Sequence, residues 1–125
     1  RQPIFAVGTA KDHVAPWRSV YKIALLTDTE VDFLLTSGGH NAGIVTPPGH
    51  PRRIYQTGRL SDHEGYVDPD RWRESAPVHK GSWWPEWQAW LARNSGGAVD
   101  PPQMGNAEAG YPALEAAPGR YVLQP

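Results

Sequence analysis

Cysteine is absent from this 125-residue sequence, which excludes a disulfide framework, a thiolate metal site and a cysteine nucleophile supplied by these residues. The absence leaves the redox compartment open. No apolar run approaches the roughly 20 residues that a membrane-spanning helix needs. An excess of either charge is missing too. Twelve Lys and Arg face 13 Asp and Glu, and a formal charge of −1 argues against nucleic acid or an anionic membrane as electrostatic partners. Strong core formers are sparse, with only 23 Leu, Ile, Val and Phe. Near-neutral charge nevertheless removes the other half of the disorder signature, and the length suits one folded domain.

What is present is unevenly placed. Fourteen of those 23 residues lie in 1–45, while the 13 Pro and 13 Gly spread through the second part. The chain starts at Arg1 without Met and enters the apolar stretch PIFAVGT at once. A chain weighted toward its first residues is expected to be the end of a larger domain whose earlier strands lie upstream. Four segments follow from composition. Residues 1–57 carry core strands and helix, 58–80 read as a loop-rich connection, 81–97 as a Trp-rich amphipathic helix and 98–125 as a Pro/Gly-rich tail.

The first segment reads as α/β. Ile4 to Val7 form a short continuous apolar run, as in a strand buried on both faces, and Gly8-Thr9 ends it. Pro16 suits a first helical turn, after which Val20, Ile23, Ala24 and Leu26 recur at helical spacing and predict one helix reaching Asp28. VDFLLT, residues 31–36, is a second buried strand, closed by Ser37-Gly38-Gly39. Strand, helix and strand make a βαβ unit with parallel strands.

Parallel strands present their carboxyl ends at one edge of the sheet, where ligand sites form. Asp12 follows the first strand and His40 the second, so side chains 28 residues apart are expected to meet. A carboxylate accepting the Nδ1-H of an imidazole fixes its tautomer and stabilises the imidazolium formed when Nε2 takes a proton. Orienter and base are two members of a nucleophilic triad. In α/β-hydrolases the order is nucleophile, then Asp or Glu, then His. None of Ser19, Ser37, Ser61, Ser75, Ser82 and Ser95 lies in a G-x-S-x-G elbow, which puts the expected nucleophile upstream of Arg1. Without further support, an Asp-His pair that only caps a turn is the simpler reading.

At these residues the sequence resembles the poly(3-hydroxyalkanoate) synthases, also called poly-β-hydroxybutyrate polymerases. DHVAPW (12–17) is similar to the family's Asp-bearing D-H-x-x-P-W loop, and GHNAGIVTPPG (39–49) to its His-bearing G-H-x-A-G-x-x-x-P-P loop. GSWWPEWQAWL (81–91) and APGRYVL (117–123) resemble the tryptophan-rich segment and closing motif near the family's C-terminus. The resemblance implies the C-terminal part of an α/β-hydrolase fold, belonging to an acyltransferase that polymerises (R)-3-hydroxyacyl-CoA into polyester and releases CoA. It implies catalytic roles for Asp12 and His40 in a Cys-His-Asp triad whose cysteine lies upstream, so that this piece alone is expected to be inactive. It further implies no cofactor or metal, a homodimeric enzyme, a cytoplasmic location and association with polymer granules. Two departures stand out: Asn41 replaces an aliphatic residue of many members, and Gly38 before Gly39 is expected to loosen the approach to His40. The alternatives are a non-catalytic binding or assembly module and a piece of an esterase or depolymerase.

The remaining polar residues read more simply. His13 is expected to pack or hydrogen-bond within its loop, Asp62-His63-Glu64 to form a solvated loop rather than a metal site, and His50 and His79 show no partner in sequence. Trp83, Trp84, Trp87, Trp90 and Leu91 recur at i, i+3, i+4 and i+7 with Pro85 in the first turn, forming one helical stripe. Its expected role is packing against the body of a domain outside this chain. Contact with an apolar polymer or carbohydrate is the alternative.

Overall fold

Alternating side chains on two adjacent strands give the sheet two apolar faces. A computed structural model describes residues 1–60 and 65–125. Strand β1 (Ile4–Thr9) and strand β2 (Val31–Thr36) pair in parallel, with Ile4 opposite Val31 and Thr9 opposite Thr36. Ala6, Val31, Phe33 and Leu35 then face one side, and Phe5, Val7 and Leu34 the other. The first face packs beneath Trp17, Tyr21, Trp72 and Ala76, with Phe33 fully buried at its centre. Burial of such a side chain is worth about 1.5–3 kcal/mol. The second face is covered by Trp83, with Tyr55 beside it.

The helix expected over 16–28 is two short pieces, α1 (Trp17–Tyr21) and α2 (Ile23–Leu26), joined at Lys22. Trp17 and Tyr21, one turn apart, supply the buried contact, each with ring centroid within 6.5 Å of Phe33. Leu26, expected on the buried stripe, is 82% exposed. Aromatic packing over Phe33 decides this helix face, and the aliphatic period is secondary to it.

Two antiparallel strands extend the sheet to the order β1-β2-β3-β4. The boundary at residue 57 therefore falls inside β3 (Ile54–Leu60), and 58–80 also holds α3 (Pro69–Ser75) and β4 (Val78–Lys80). These elements were hidden by their chemistry. Gln56, facing the first core, donates from Nε2 to the carbonyls of Arg73 and Ala76 at 2.7 and 2.8 Å, so a polar residue occupies an inward position. Gly58 is small because Trp72 lies against it, and a Cβ there would come within 2.9 Å of Trp72 Nε1. Helix α3 starts at Asp68, whose carboxylate accepts the Asp70 N-H, with Pro69 in the first turn. Asp62, His63 and Glu64 lie outside the described residues.

Helix α4 (Trp84–Asn94) begins one residue after Trp83. Its first turn belongs to the second face of the sheet. Phe5 lies 6.5 Å from Trp83 and 5.7 Å from Trp90 between ring centroids, and Tyr55 donates its hydroxyl to Glu86 at 3.0 Å. The tryptophan stripe therefore packs in part within this chain, although Trp87 and Leu91 remain exposed. Residues Gly96–Pro125 form a separate unit, with one bridge between Asn106 and Tyr111 and a 3-10 turn at Tyr121–Leu123. No helix among the described residues is long and apolar enough to cross a membrane.

Candidate active site

Pairing between β1 and β2 continues past the strand ends. Ala10 donates its N-H to Thr36 O at 2.9 Å and Lys11 to Gly38 O at 2.8 Å, so the two following loops leave the same edge together. The first loop then closes on Asp12. One carboxylate oxygen accepts the backbone N-H groups of Val14 and Ala15 at 2.8 and 2.9 Å, and the other accepts the Thr9 hydroxyl at 3.0 Å. That second oxygen also accepts from His40 Nδ1 at 2.8 Å. Asp12 and His40, separated by 28 residues in sequence, are brought together.

Electrostatics decides who holds the proton. The Ala15 N-H, with further help from His40, Val14 and Thr9, holds the Asp12 carboxyl well below the usual carboxylate range despite its partial desolvation. An ionised carboxylate only accepts, so His40 Nδ1 carries the hydrogen of this bond, and in a neutral imidazole so oriented Nε2 is the nitrogen with the lone pair. The Asp12 side chain is 7% exposed and that of His40 49%. Among the described residues the imidazole makes no other hydrogen bond.

The His40 loop is a tight turn built on glycine. Gly38 has φ +112°, in the left-handed region, and a Cβ there would fall within 2.6 Å of the Arg53 guanidinium. The Gly38 carbonyl accepts the Lys11 N-H, an anchor for the turn that leads to His40. Gly43 and Val45 then donate back to the carbonyls of Gly39 and Asn41 at 2.8 and 2.9 Å. Gly43 rests on Thr9, the residue that also binds Asp12.

Sequence reasoning missed what holds this loop from behind. Trp83 Nε1 donates to Gly43 O at 3.1 Å, Trp84 Nε1 to Ile44 O at 2.9 Å, and the Ser82 hydroxyl to Thr46 O. Thr46 is fully buried and returns its own hydroxyl to Ala42 O and Gly43 O. The pairing of a Gly-rich His loop with a Trp pair some 40 residues on leaves no periodicity to find.

Other candidates take smaller parts. His79 stacks on Tyr55 at 5.0 Å, His50 Nδ1 accepts the Arg52 N-H at 3.4 Å, and His13 is exposed. Ser37 accepts the Ile54 N-H and Ser82 serves the loop, so neither is bound to His40.

With an oriented imidazole beside a buried carboxylate, the matched loops acquire a chemical setting. The chain is related to the poly(3-hydroxyalkanoate) polymerases. It is 39% identical over 120 residues to poly(3-hydroxyalkanoate) polymerase 1 of Ectopseudomonas oleovorans, covering 95% of this chain and 20% of the relative. Against the polymerase subunit of Cupriavidus necator identity is 38% over 121 residues, covering 96% of this chain and 20% of that protein. The Rhizobium etli subunit is 36% identical over 122 residues, covering 98% and 18%. The chain thus spans about a fifth of the length of these polymerases. No family model matches it.

Proposed function

We propose that this chain is the C-terminal part of a polymerase that joins (R)-3-hydroxyacyl-CoA units into polyester, and that Asp12 and His40 are its orienter and base. One observation carries the reading: His40 Nδ1 lies 2.8 Å from a carboxylate already held by Thr9, Val14 and Ala15, and among the described residues Nε2 makes no hydrogen bond at the sheet edge. Sequence relation to the polymerases over 95% of the chain supports the substrate class. The mixed sheet with helices on both faces supports the end of an α/β-hydrolase fold as its setting.

In the proposed chemistry Nε2 takes the proton of an upstream cysteine thiol, and the thiolate attacks the thioester carbonyl. CoA leaves as a thiolate and recovers the proton from the imidazolium, leaving the acyl group on the cysteine. Nε2 then deprotonates the 3-hydroxyl of the next unit. Its oxygen attacks the acyl-cysteine, the ester forms, and the cysteine thiolate departs and is reprotonated. Asp12 remains ionised throughout and stabilises the imidazolium. No cofactor enters this scheme. A second copy of the enzyme and the polymer granule surface in the cytoplasm are the proposed partners, on family resemblance.

The test uses the full-length protein containing this chain, with CoA release followed by a thiol reagent. His40→Ala is expected to abolish release and polymer formation. Release at close to the unmodified rate would overturn the assignment, and free hydroxy acid in place of polymer from the unmodified enzyme would favour a hydrolase.

A further inference from the structure

The hydrogen bonds from Ser82, Trp83 and Trp84 all end on residues 43–46, within six positions of His40. We infer that Trp83 and Trp84 are positioning residues for His40, so that the segment after β4 is a working part of the site. The inference rests on the reading of His40 as the base. His40 itself is half exposed, makes one hydrogen bond among the described residues and sits on an irregular loop. Such a loop holds its geometry only where its backbone is anchored. On the β1 side the anchors are the Lys11 to Gly38 hydrogen bond and the seat of Gly43 on Thr9. On the α4 side they are the two indole N-H groups and the Ser82 hydroxyl.

That second set is itself rigidly mounted. Trp83 is 6% exposed in the cluster with Leu34 and Tyr55, and Tyr55 is tied to α4 through Glu86. The Trp84 backbone N-H donates to Ser82 Oγ at 3.1 Å, which ties the start of α4 to the hydroxyl that holds Thr46. Packing alone asks only for two rings. The indole N-H groups aimed at consecutive carbonyls of the base-bearing loop are what point to alignment.

The experiment again uses the full-length polymerase and measures kcat and KM for CoA release together with the melting temperature. Trp84→Phe removes the N-H donor from a partly exposed ring. Misplacing a catalytic group by about 1 Å costs on the order of 100-fold, so kcat is expected to fall about 10- to 100-fold with KM within about twofold and melting nearly unchanged. Trp83→Phe is expected to lower kcat and melting together, because it also shrinks a buried ring. Trp87→Phe, on the same helix, keeps a ring against Trp83, whose centroid lies 6.0 Å away, and removes only an indole N-H that makes no hydrogen bond to the loop, so both constants should stay unchanged. A Trp84→Phe enzyme with unimpaired kcat, or with a loss matched by a loss of folded protein, would overturn the inference. If Trp83→Phe fails to fold, Trp84→Phe decides. Full activity in His40→Ala sinks the underlying reading, whereas an inactive His40→Ala beside an unimpaired Trp84→Phe sinks only the positioning role.

Discussion

Gly43→Ala places one methyl group where β1, the His40 loop and the Asp12 network converge. A Cβ at this position would lie 2.5 Å from Thr9 Cγ2, 2.9 Å from Gly39 O and 3.0 Å from Thr9 Cβ. Carbon atoms in good contact are about 3.5–4.0 Å apart, so the closest approach is short by about 1 Å. Thr9 cannot readily turn aside. It is 3% exposed, its χ1 is stiff through branching at Cβ, and rotation would withdraw Oγ1 from Asp12. The loop must therefore lift, at an overpacking cost of about 1–3 kcal/mol. Lifting it also disturbs the Asp12-His40 contact. Urea unfolding of this chain should show a lower midpoint at unchanged slope, and CoA release by the full-length Gly43→Ala enzyme should fall about 100-fold. Thr9→Ser keeps the hydroxyl and removes the methyl at the closest of these contacts, so the double variant should recover part of both losses. Its coupling energy should be about 0.5–3 kcal/mol. Stability of Gly43→Ala within 0.5 kcal/mol of the unmodified chain, or strictly additive losses in the double variant, would refute the reasoning.

Asp12→Asn should preserve the fold but favour the wrong imidazole tautomer, lowering turnover of the full-length enzyme by about 10^4-fold, and combining it with His40→Ala should add little further loss. In urea titrations of this chain, the same substitution should flatten the acid limb. The lowered Asp12 pKa contributes stability that is present above the ordinary value of 3.8 and lost as pH falls through the folded value. Burial, with the hydrogen bond to Glu86, pushes the Tyr55 hydroxyl up to about 12. Its contribution is complete below its ordinary value of 10.0 and lost as pH rises toward 12, so Tyr55→Phe should reduce the fall in urea midpoint between pH 10 and 12.

Much of the site could be read in sequence because local chemistry dictates it. Apart from Asp32, IFAVGT and VDFLLT are apolar on both sides, as suits strands covered on both faces, and their parallel pairing sends Asp12 and His40 to one edge. Continuous apolar runs and closing Ser-Gly-Gly are local signals. The rest depended on partners distant in sequence. A Gln and a Gly line the inner face of β3 because α3 offers open carbonyls to one and Trp72 fills the space above the other. Hydropathy assigns neither residue to a core. Three-residue β4 exists because β3 supplies its hydrogen bonds, and the break at Lys22 accompanies the seating of Trp17 and Tyr21 on Phe33. The helical period could group the tryptophans but could not name their acceptors. An indole N-H must find a carbonyl when its ring is covered, and only the folded chain placed those of Gly43 and Ile44 within reach.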